Sequence, residues 1–199
     1  MSSKDHPGRG PEGGGGARRP REGPWAFEMD LASRWLDNDQ YGHINNSVYY
    51  LLHDTIVNLY LAERCGIKAF VHDPPTHGSS PGGGVVQNES DLIGLVVSSS
   101  ANYFAPTSFP CKLRLKLRVV HLGSSSVRYE CGIFEVPVVV AGGGEQQEVE
   151  RQANVVTQTT HVFVHRYTRR PVKLMPERLR SGLQHLIVPG HWIGRDAKL

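Results

Sequence analysis

The chain has 199 residues, of which 39% are hydrophobic, and a formal net charge of +3 at pH 7. That length fits one domain with some additional loose sequence. The small charge excludes the strongly basic class of nucleic-acid-binding proteins, and no apolar run approaches the ~18 residues that a membrane span requires. No hydrophobic signal-peptide segment follows Met1, so we expect a cytoplasmic protein, with mitochondrial import as the alternative.

Glycine and proline are concentrated in particular segments. Residues 1–24 form a Gly/Pro/Arg-rich tail that cannot bury enough apolar surface to offset its ordering entropy. Residues 72–84 are a second segment rich in proline and glycine. We therefore predict a disordered tail, one domain over residues 25–185 with a mobile loop at 72–84, and a C-terminal extension over residues 186–199.

The first predicted elements are a strand and a long helix. Alternate residues from Trp25 to Leu31 are apolar, which indicates a strand with one buried face. Any of the residues Asn45–Ser47 can cap a helix, and Gly66 is a suitable stop, so a helix of roughly 20 residues is expected between them. Its apolar stripe comprises Val48, Leu51, Leu52, Ile56, Val57, Leu59 and Tyr60, and its polar side comprises His53, Asp54 and Asn58.

Four long strand-like stretches follow, at residues 92–104, 111–122, 127–140 and about 149–167. Gly123–Ser125 predicts a tight hairpin turn and residues 142–147 a looser one, so we expect antiparallel pairing. Pro176 suits the start of a short helix. One apolar helix followed by an antiparallel sheet is an α+β layout in which the sheet covers the helix.

Two carboxylates, Asp37 and Asp39, lie directly before the long helix. The first turn of a helix has unpaired N–H groups and a positive dipole end. A carboxylate can act as a nucleophile or general base at a carbonyl carbon, and the N–H groups near Asn46 and Ser47 can stabilise the developing oxyanion. The alternative is that Asp39 only caps the loop, as we expect for Asp37, whose side chain is suited to bonding loop N–H groups.

The order of elements and three segments point to a known family. The segments are Asp37-x-Asp39-x-x-Gly42-His43-x-Asn45-Asn46-x-x-Tyr49, residues 101–106 and residues 122–127. Over residues 25–185 the chain resembles the hotdog-fold acyl-CoA thioesterases of the 4-hydroxybenzoyl-CoA thioesterase type. The resemblance implies a curved antiparallel β-sheet wrapped around one long central helix. It also implies a homodimer or homotetramer with sites at the subunit boundary.

The resemblance further implies a hydrolase that converts an acyl-CoA thioester into a carboxylic acid and coenzyme A. It makes Asp39 the catalytic carboxylate and the N–H of Asn46 the polarising donor. Asp54 is a reserve catalytic candidate, because some hotdog thioesterases carry their carboxylate on the helix. The implied substrate-binding residues are Gly42, His43, Asn45, Tyr49, Ser124 and Ser125. No metal or separate cofactor is implied, since coenzyme A is part of the substrate.

Several alternatives remain open in the sequence. Basic residues alternate with apolar ones in the strand after Cys111, which indicates either a solvated outer face or a site for coenzyme A phosphates; they are Lys112, Arg114, Lys116 and Arg118. The turn at 124–126 and the pair Arg169–Arg170 are other candidates for the nucleotide end. Two other functions are a hotdog enoyl-thioester hydratase or dehydratase using Asp39 and His43, and a non-catalytic acyl-thioester binding module.

Other patterns carry no expected chemistry. Gly78-Ser79-Ser80-Pro81-Gly82 matches a Gly-x-Ser-x-Gly nucleophile motif, but it has no strand before it and no helix after it. The histidines at 72 and 77 have no metal-ligand spacing with Cys65. The three cysteines, Cys65, Cys111 and Cys131, are expected to be reduced, buried thiols.

Overall fold

A computed structural model describes residues 24–67, 91–136 and 152–189. The predicted tail up to residue 23, the loop at 72–84 and the turn at 142–147 lie outside these residues. The elements are β1 (Phe27–Ala32), a 3-10 turn (Trp35–Asp37), α1 (Asn46–Cys65), β2 (Leu92–Tyr103), β3 (Lys112–Leu122), β4 (Ser126–Val136), β5 (Val155–His165) and α2 (Glu177–Gln184). The predicted α+β order is confirmed.

The five strands form one antiparallel sheet in the order β1-β3-β4-β5-β2. The predicted turn at Gly123–Ser125 joins β3 to β4, which are paired along their length. The position of β2 was not expected, because the chain crosses the sheet after Tyr103 and β2 pairs with β5, the last strand in sequence. One long edge of β2 is therefore free of any strand among the described residues.

The ends of α1 lie where the capping residues predict them. The side chain of Asn45 accepts a hydrogen bond from the backbone N–H of Ser47, and Gly66 ends the helix in the left-handed conformation at φ 70°. Two predictions about the helix faces are wrong. Leu51 is 56% exposed, and His53, assigned to the polar side, is fully buried.

The core lies between α1 and the inner faces of β3, β4 and β5. It is built from alternate residues of those strands and from one side of the helix, including Val48, Ile56, Val57, Leu113, Leu115, Leu117, Val127, Ile133 and Phe163. The helix does not extend over β2, where residues 96–100 are all exposed. The sheet thus wraps the helix on one side and leaves β2 uncovered by the described part of the chain.

The C-terminal residues close the far end of the helix. The hydroxyl of Tyr60 donates a 2.7 Å hydrogen bond to the carbonyl of Gly182 in α2. Beyond the expected domain end at residue 185, Leu186 and Val188 are also buried, and Ile187 bridges to Val119 in β3. The three cysteines are free thiols; Cys65 and Cys131 are buried as predicted, whereas Cys111 is only partly buried. No helix in the described ranges has the length and apolar character needed to cross a membrane.

Candidate active site

The loop between the 3-10 turn and α1 is a narrow hydrogen-bonded hairpin. Asn38 and Ile44 form an isolated antiparallel β-bridge. The N–H of Asp39 donates to the carbonyl of His43 at 2.8 Å, and the N–H of Asn45 donates to the carbonyl of Asp37 at 2.8 Å. Gly42 turns the hairpin with φ 81°, a left-handed conformation that favours glycine. The ladder fixes the carboxylate loop and the helix N-terminus as one unit.

The carboxylate of Asp37 is held by Arg34 and not by the loop N–H groups that were expected to bond it. Its carboxylate is buried and accepts three hydrogen bonds from Arg34, from the backbone N–H at 2.6 Å and from Nε and Nη2 at 3.0 and 2.8 Å. All of these are local, because Arg34 caps the 3-10 turn and Asp37 is its last residue. The participation of Arg34 was not expected, although its spacing of three residues from Asp37 is compatible with such a turn.

Asp39 is half-buried and only one of its two carboxylate oxygens is bonded. Oδ1 accepts the N–H of Tyr41 at 2.8 Å and the N–H of His43 at 3.3 Å. Oδ2 makes no hydrogen bond with the described residues. The loop-capping role and an open carboxylate oxygen are therefore both present in the same side chain.

The start of α1 leaves one backbone donor without a partner. Asn45 accepts the N–H of Ser47 on its side chain at 2.9 Å, and its carbonyl accepts the N–H of Val48 at 2.9 Å. The N–H of Asn46 has no acceptor in the described ranges. Of the two amides expected to be available, that of Ser47 is thus occupied by the cap, which corrects the prediction and leaves the amide of Asn46.

Two tyrosines and a threonine support the helix start. Tyr49 is buried, its hydroxyl lies 2.6 Å from Oγ1 of Thr107, and burial raises its pKa. The N–H of Ile44 donates to the carbonyl of Thr107 at 2.8 Å. Tyr103, at the end of β2, packs edge-to-face on Tyr49 with 5.6 Å between ring centroids, and its hydroxyl lies 3.5 Å from the carbonyl of Asn46.

Tyr103 and Thr107 were not among the predicted site residues. The signal that could have found Tyr103 is its place in the segment 101–106, which carries part of the family resemblance. Tyr49 is a core residue here, whereas Tyr103 is 45% exposed beside the helix start.

The ring of His43 is exposed and makes no hydrogen bond with the described residues. Its backbone N–H and carbonyl both bond to Asp39, but the two side chains do not form a pair. This arrangement gives no support to an Asp–His couple of the kind a hydratase would use.

The other predicted site residues lie away from Asp39 in this chain. Ser124 and Ser125 are at the opposite end of the sheet, where their carbonyls accept the N–H groups of Met175 at 2.9 Å and Phe163 at 2.7 Å. Asp54 is on α1, about 12 Å along the axis from Asn46. Asp54 is exposed, but partial desolvation by the surrounding protein raises the pKa of its carboxyl group.

A buried polar cluster that sequence reasoning missed lies under the middle of α1. The ring nitrogens of His53 lie 2.6 Å from Oγ1 of Thr157 and 2.7 Å from Oγ1 of Thr159. Burial lowers the pKa of His53 to about 3 and that of the nearby His161 to about 4. Neither ring nitrogen of His161 has a hydrogen-bond partner among the described residues, and its ring packs edge-to-face on Tyr129. No group of metal-ligating side chains occurs within the described ranges.

A family model described as the thioesterase superfamily matches residues 41–141, about half of the chain. The chain belongs to the thioesterase superfamily. The match begins two residues after Asp39, so it does not include the predicted catalytic carboxylate. Membership of the superfamily indicates thioester hydrolysis as the general activity. In a separate comparison, no curated protein sequence matches the chain significantly.

Solved structures share the fold of this chain. The PA5185 protein from Pseudomonas aeruginosa strain PAO1 is 39% identical, with a TM-score of 0.63 over 83% of this chain and 94% of that one. A thioesterase-superfamily protein from Jannaschia sp. CCS1 is 15% identical, with a TM-score of 0.58 over 80% and 82%. Slr0204, a 1,4-dihydroxy-2-naphthoyl-CoA thioesterase from Synechocystis, is 16% identical, with a TM-score of 0.54 over 79% and 95%. The predicted hotdog fold is confirmed.

Proposed function

We propose that this thioesterase hydrolyses an acyl-CoA to a carboxylic acid and free coenzyme A, with Asp39 as nucleophile or general base and the N–H of Asn46 as donor to the carbonyl oxygen. The observation that carries the proposal is the pattern of used and unused groups. Around the helix start the carboxylate of Asp37, Oδ1 of Asn45 and the N–H of Ser47 are bonded, whereas Oδ2 of Asp39 and the N–H of Asn46 have no partner among the described residues.

The two available groups suit the two needs of thioester cleavage. The amide of Asn46, at the positive end of the α1 dipole, stabilises negative charge on the carbonyl oxygen. Oδ2 of Asp39 either attacks the carbonyl carbon or takes a proton from an attacking water. Attack by the carboxylate breaks the C–S bond, releases the thiolate of coenzyme A and leaves a mixed anhydride, which water then hydrolyses. Neither route uses a metal or a redox cofactor.

The coenzyme A carrier is supported by structural relatives such as Slr0204, which is described as a CoA thioesterase. The residues that would contact the acyl group are those around the helix start, with Gly42 and Asn45 shaping the backbone and His43 and Tyr103 exposed beside it. Tyr49 supports this region from the core.

The test is release of free thiol from short, long, branched and aromatic acyl-CoAs. Asp39→Asn should lower the rate by at least ~100-fold, the scale of a central acid–base group. Asp54→Asn, which removes an exposed carboxylate farther along α1, is the matched control and should retain activity. Equal rates in wild type and Asp39→Asn would reject the assignment, and loss of activity in Asp54→Asn alone would transfer it to the reserve candidate. No release from any substrate would favour a binding module.

The free edge of β2 supports a homodimer. Its twelve residues contain no charged residue and no proline, which are the features that usually protect an edge strand from pairing. Val96 and Val97 are both about half exposed there. We propose that two copies pair antiparallel along β2, with the two sites beside the shared boundary; two such dimers could associate further into a tetramer.

Light scattering after size exclusion tests the pairing. Val97→Lys should give a monomer, because each copy would place a charge in the pairing surface. Ala26→Lys places the same charge beside the opposite edge of the sheet and should retain the wild-type mass. An unchanged mass for Val97→Lys would reject pairing through β2.

A further inference from the structure

We propose that the loop after β5 binds the phosphate groups of a coenzyme A whose thioester is held at the Asp39 site of the partner subunit. The loop comprises residues 165–173 and is called the basic loop. This inference rests on the proposed function and on pairing through β2. Among the segments that the sequence suggests for binding the nucleotide end of coenzyme A, the structure favours the one that contains Arg169 and Arg170.

The basic face of β3 is disfavoured as a phosphate site because its charges already have acidic partners. The ion pairs are Lys112 and Arg114 with Asp30 at 2.9 and 2.8 Å, Lys116 with Glu28 at 3.8 Å, and the buried pair of Arg118 with Glu130. An incoming phosphate would have to compete with these carboxylates. The alternation seen in the sequence is therefore explained by charge pairing across β1 and β4.

The basic loop is different, because three of its cations form no ion pair with the described residues. It contains four basic residues and no acidic one; the basic residues are Arg166, Arg169, Arg170 and Lys173. Arg169, Arg170 and Lys173 are exposed and form no ion pair with the described residues. Such a concentration of available guanidinium groups suits phosphate oxygens, which accept paired hydrogen bonds from arginine.

The shape of the basic loop is fixed before any ligand binds. His165 accepts the N–H groups of Tyr167 and Thr168 on Nδ1 at 3.3 and 3.4 Å, and its carbonyl accepts the N–H of Arg169 at 2.8 Å. Its own N–H donates to the carbonyl of Arg170 at 3.0 Å. A loop ordered in advance loses less conformational freedom on binding.

Arg169 has a backbone conformation that points to a use for its side chain. Its φ is 57°, in the left-handed region that glycine adopts at a lower cost than any residue with a Cβ. It is the only residue other than glycine with a positive φ among the described residues. Strain of this kind is typical of sites where a side chain serves binding.

The register of β2 places the basic loop near the second site. Within one chain, Leu92 pairs with His165 at the base of the loop, whereas Tyr103, at the other end of β2, lies beside Asn46. In a full-length antiparallel pair of β2 strands, Leu92 of the partner subunit lies opposite Tyr103. His165 of the partner subunit is then two strand spacings, roughly 10 Å, from Tyr103. The extended arm of coenzyme A can span that distance.

The test compares two thioesters of the same acyl group, one on coenzyme A and one on pantetheine, which carries no phosphate. In the variant Arg169→Gln/Arg170→Gln, we expect KM for acyl-CoA to rise about 10- to 100-fold, the scale of one charged hydrogen bond, with little change in kcat. Kinetics on acyl-pantetheine should match the wild type. The control Arg64→Gln removes a positive charge at an exposed position of α1 and should leave KM for acyl-CoA unchanged.

Arg169→Gly separates binding from folding, because glycine suits the left-handed conformation. This variant should keep or raise the melting temperature while it raises KM for acyl-CoA. A wild-type KM for acyl-CoA in both loop variants, or an equal rise in KM for both substrates, would overturn the phosphate site and leave the proposed function standing. Failure of the wild type to cleave either thioester would overturn the proposed function itself.

Discussion

Replacing His53 with glutamine should make the stability of the fold less sensitive to acid. In the wild type both ring nitrogens of His53 are bonded to buried threonine hydroxyls, and burial lowers its pKa from 6.5 to about 3. The His53 ring therefore takes up a proton near pH 6.5 in the unfolded chain, whereas in the folded chain it stays neutral at that pH. Stability contributed by this group is complete above pH 6.5 and is lost progressively as the pH falls towards 3.

The size of the loss follows from the pKa difference. Between the unfolded pKa of 6.5 and pH 5 there are about 1.5 pH units, each worth about 1.4 kcal/mol for one proton, so His53 should account for about 2 kcal/mol. His161, whose pKa is lowered to about 4, should account for a similar amount. Glutamine keeps a donor and an acceptor for the threonines but cannot titrate, so His53→Gln should show only half of the loss.

Urea unfolding at pH 7 and pH 5, at one protein concentration, measures the effect. The wild type should lose about 4 kcal/mol of unfolding free energy between the two pH values and His53→Gln about 2 kcal/mol. His185→Gln, at an exposed position after α2, is the control and should behave as the wild type. An equal loss in wild type and His53→Gln would refute the reasoning that burial suppresses protonation of this ring.

Three other substitutions test local features of the fold by urea unfolding. Gly42→Ala puts a side chain into the left-handed region and should cost roughly 1–2 kcal/mol; no loss would mean that the loop relaxes. Gly182→Ala places a methyl group 2.5 Å from Sγ of Cys65, so we expect a loss of about 1–3 kcal/mol, and wild-type stability would contradict this contact. Tyr49→Phe leaves the hydroxyl of Thr107 without its partner and should cost about 1–3 kcal/mol; a neutral result would show that water replaces the bond.

Local signals account for the parts of the fold that the sequence predicts well. Asn45 and Gly66 specify the ends of α1 through capping geometry, which depends only on neighbouring residues. The turn at 123–125 likewise specifies the pairing of β3 with β4. The place of β2 at the sheet edge was not predictable, because its pairing with β5 joins distant segments and no local residue type encodes it.

The faces of α1 show the same limit. Spacing along the helix grouped His53 with Asp54 and Asn58, yet its hydrogen-bond partners are Thr157 and Thr159, more than 100 residues away in sequence. A histidine can be buried when distant hydroxyls satisfy both ring nitrogens, and a helical pattern alone does not contain that information.

The candidate site was partly predictable for the same physical reason. Asp39 and Asn46 lie in one continuous motif, so their proximity follows from local sequence. The geometry of the Asn45 side chain decides which backbone N–H it accepts. Only the structure shows that this is the N–H of Ser47 and not that of Asn46. Ser124 and Ser125 lie at the opposite end of the sheet from Asp39, and this separation depends on the pairing of distant strands, which local sequence does not encode.

The occupied amide of Ser47 leaves the proposed reaction with the N–H of Asn46 as its backbone donor at the helix start. A single hydrogen bond to the carbonyl oxygen does not fix which face of the planar thioester meets Asp39, because the thioester can turn about that bond. Under the proposed mechanism, the choice of face therefore depends on the contacts that hold the acyl group and the coenzyme A arm. The relative rates of the two mirror forms of an acyl-CoA with a methyl branch at its second carbon would measure those contacts.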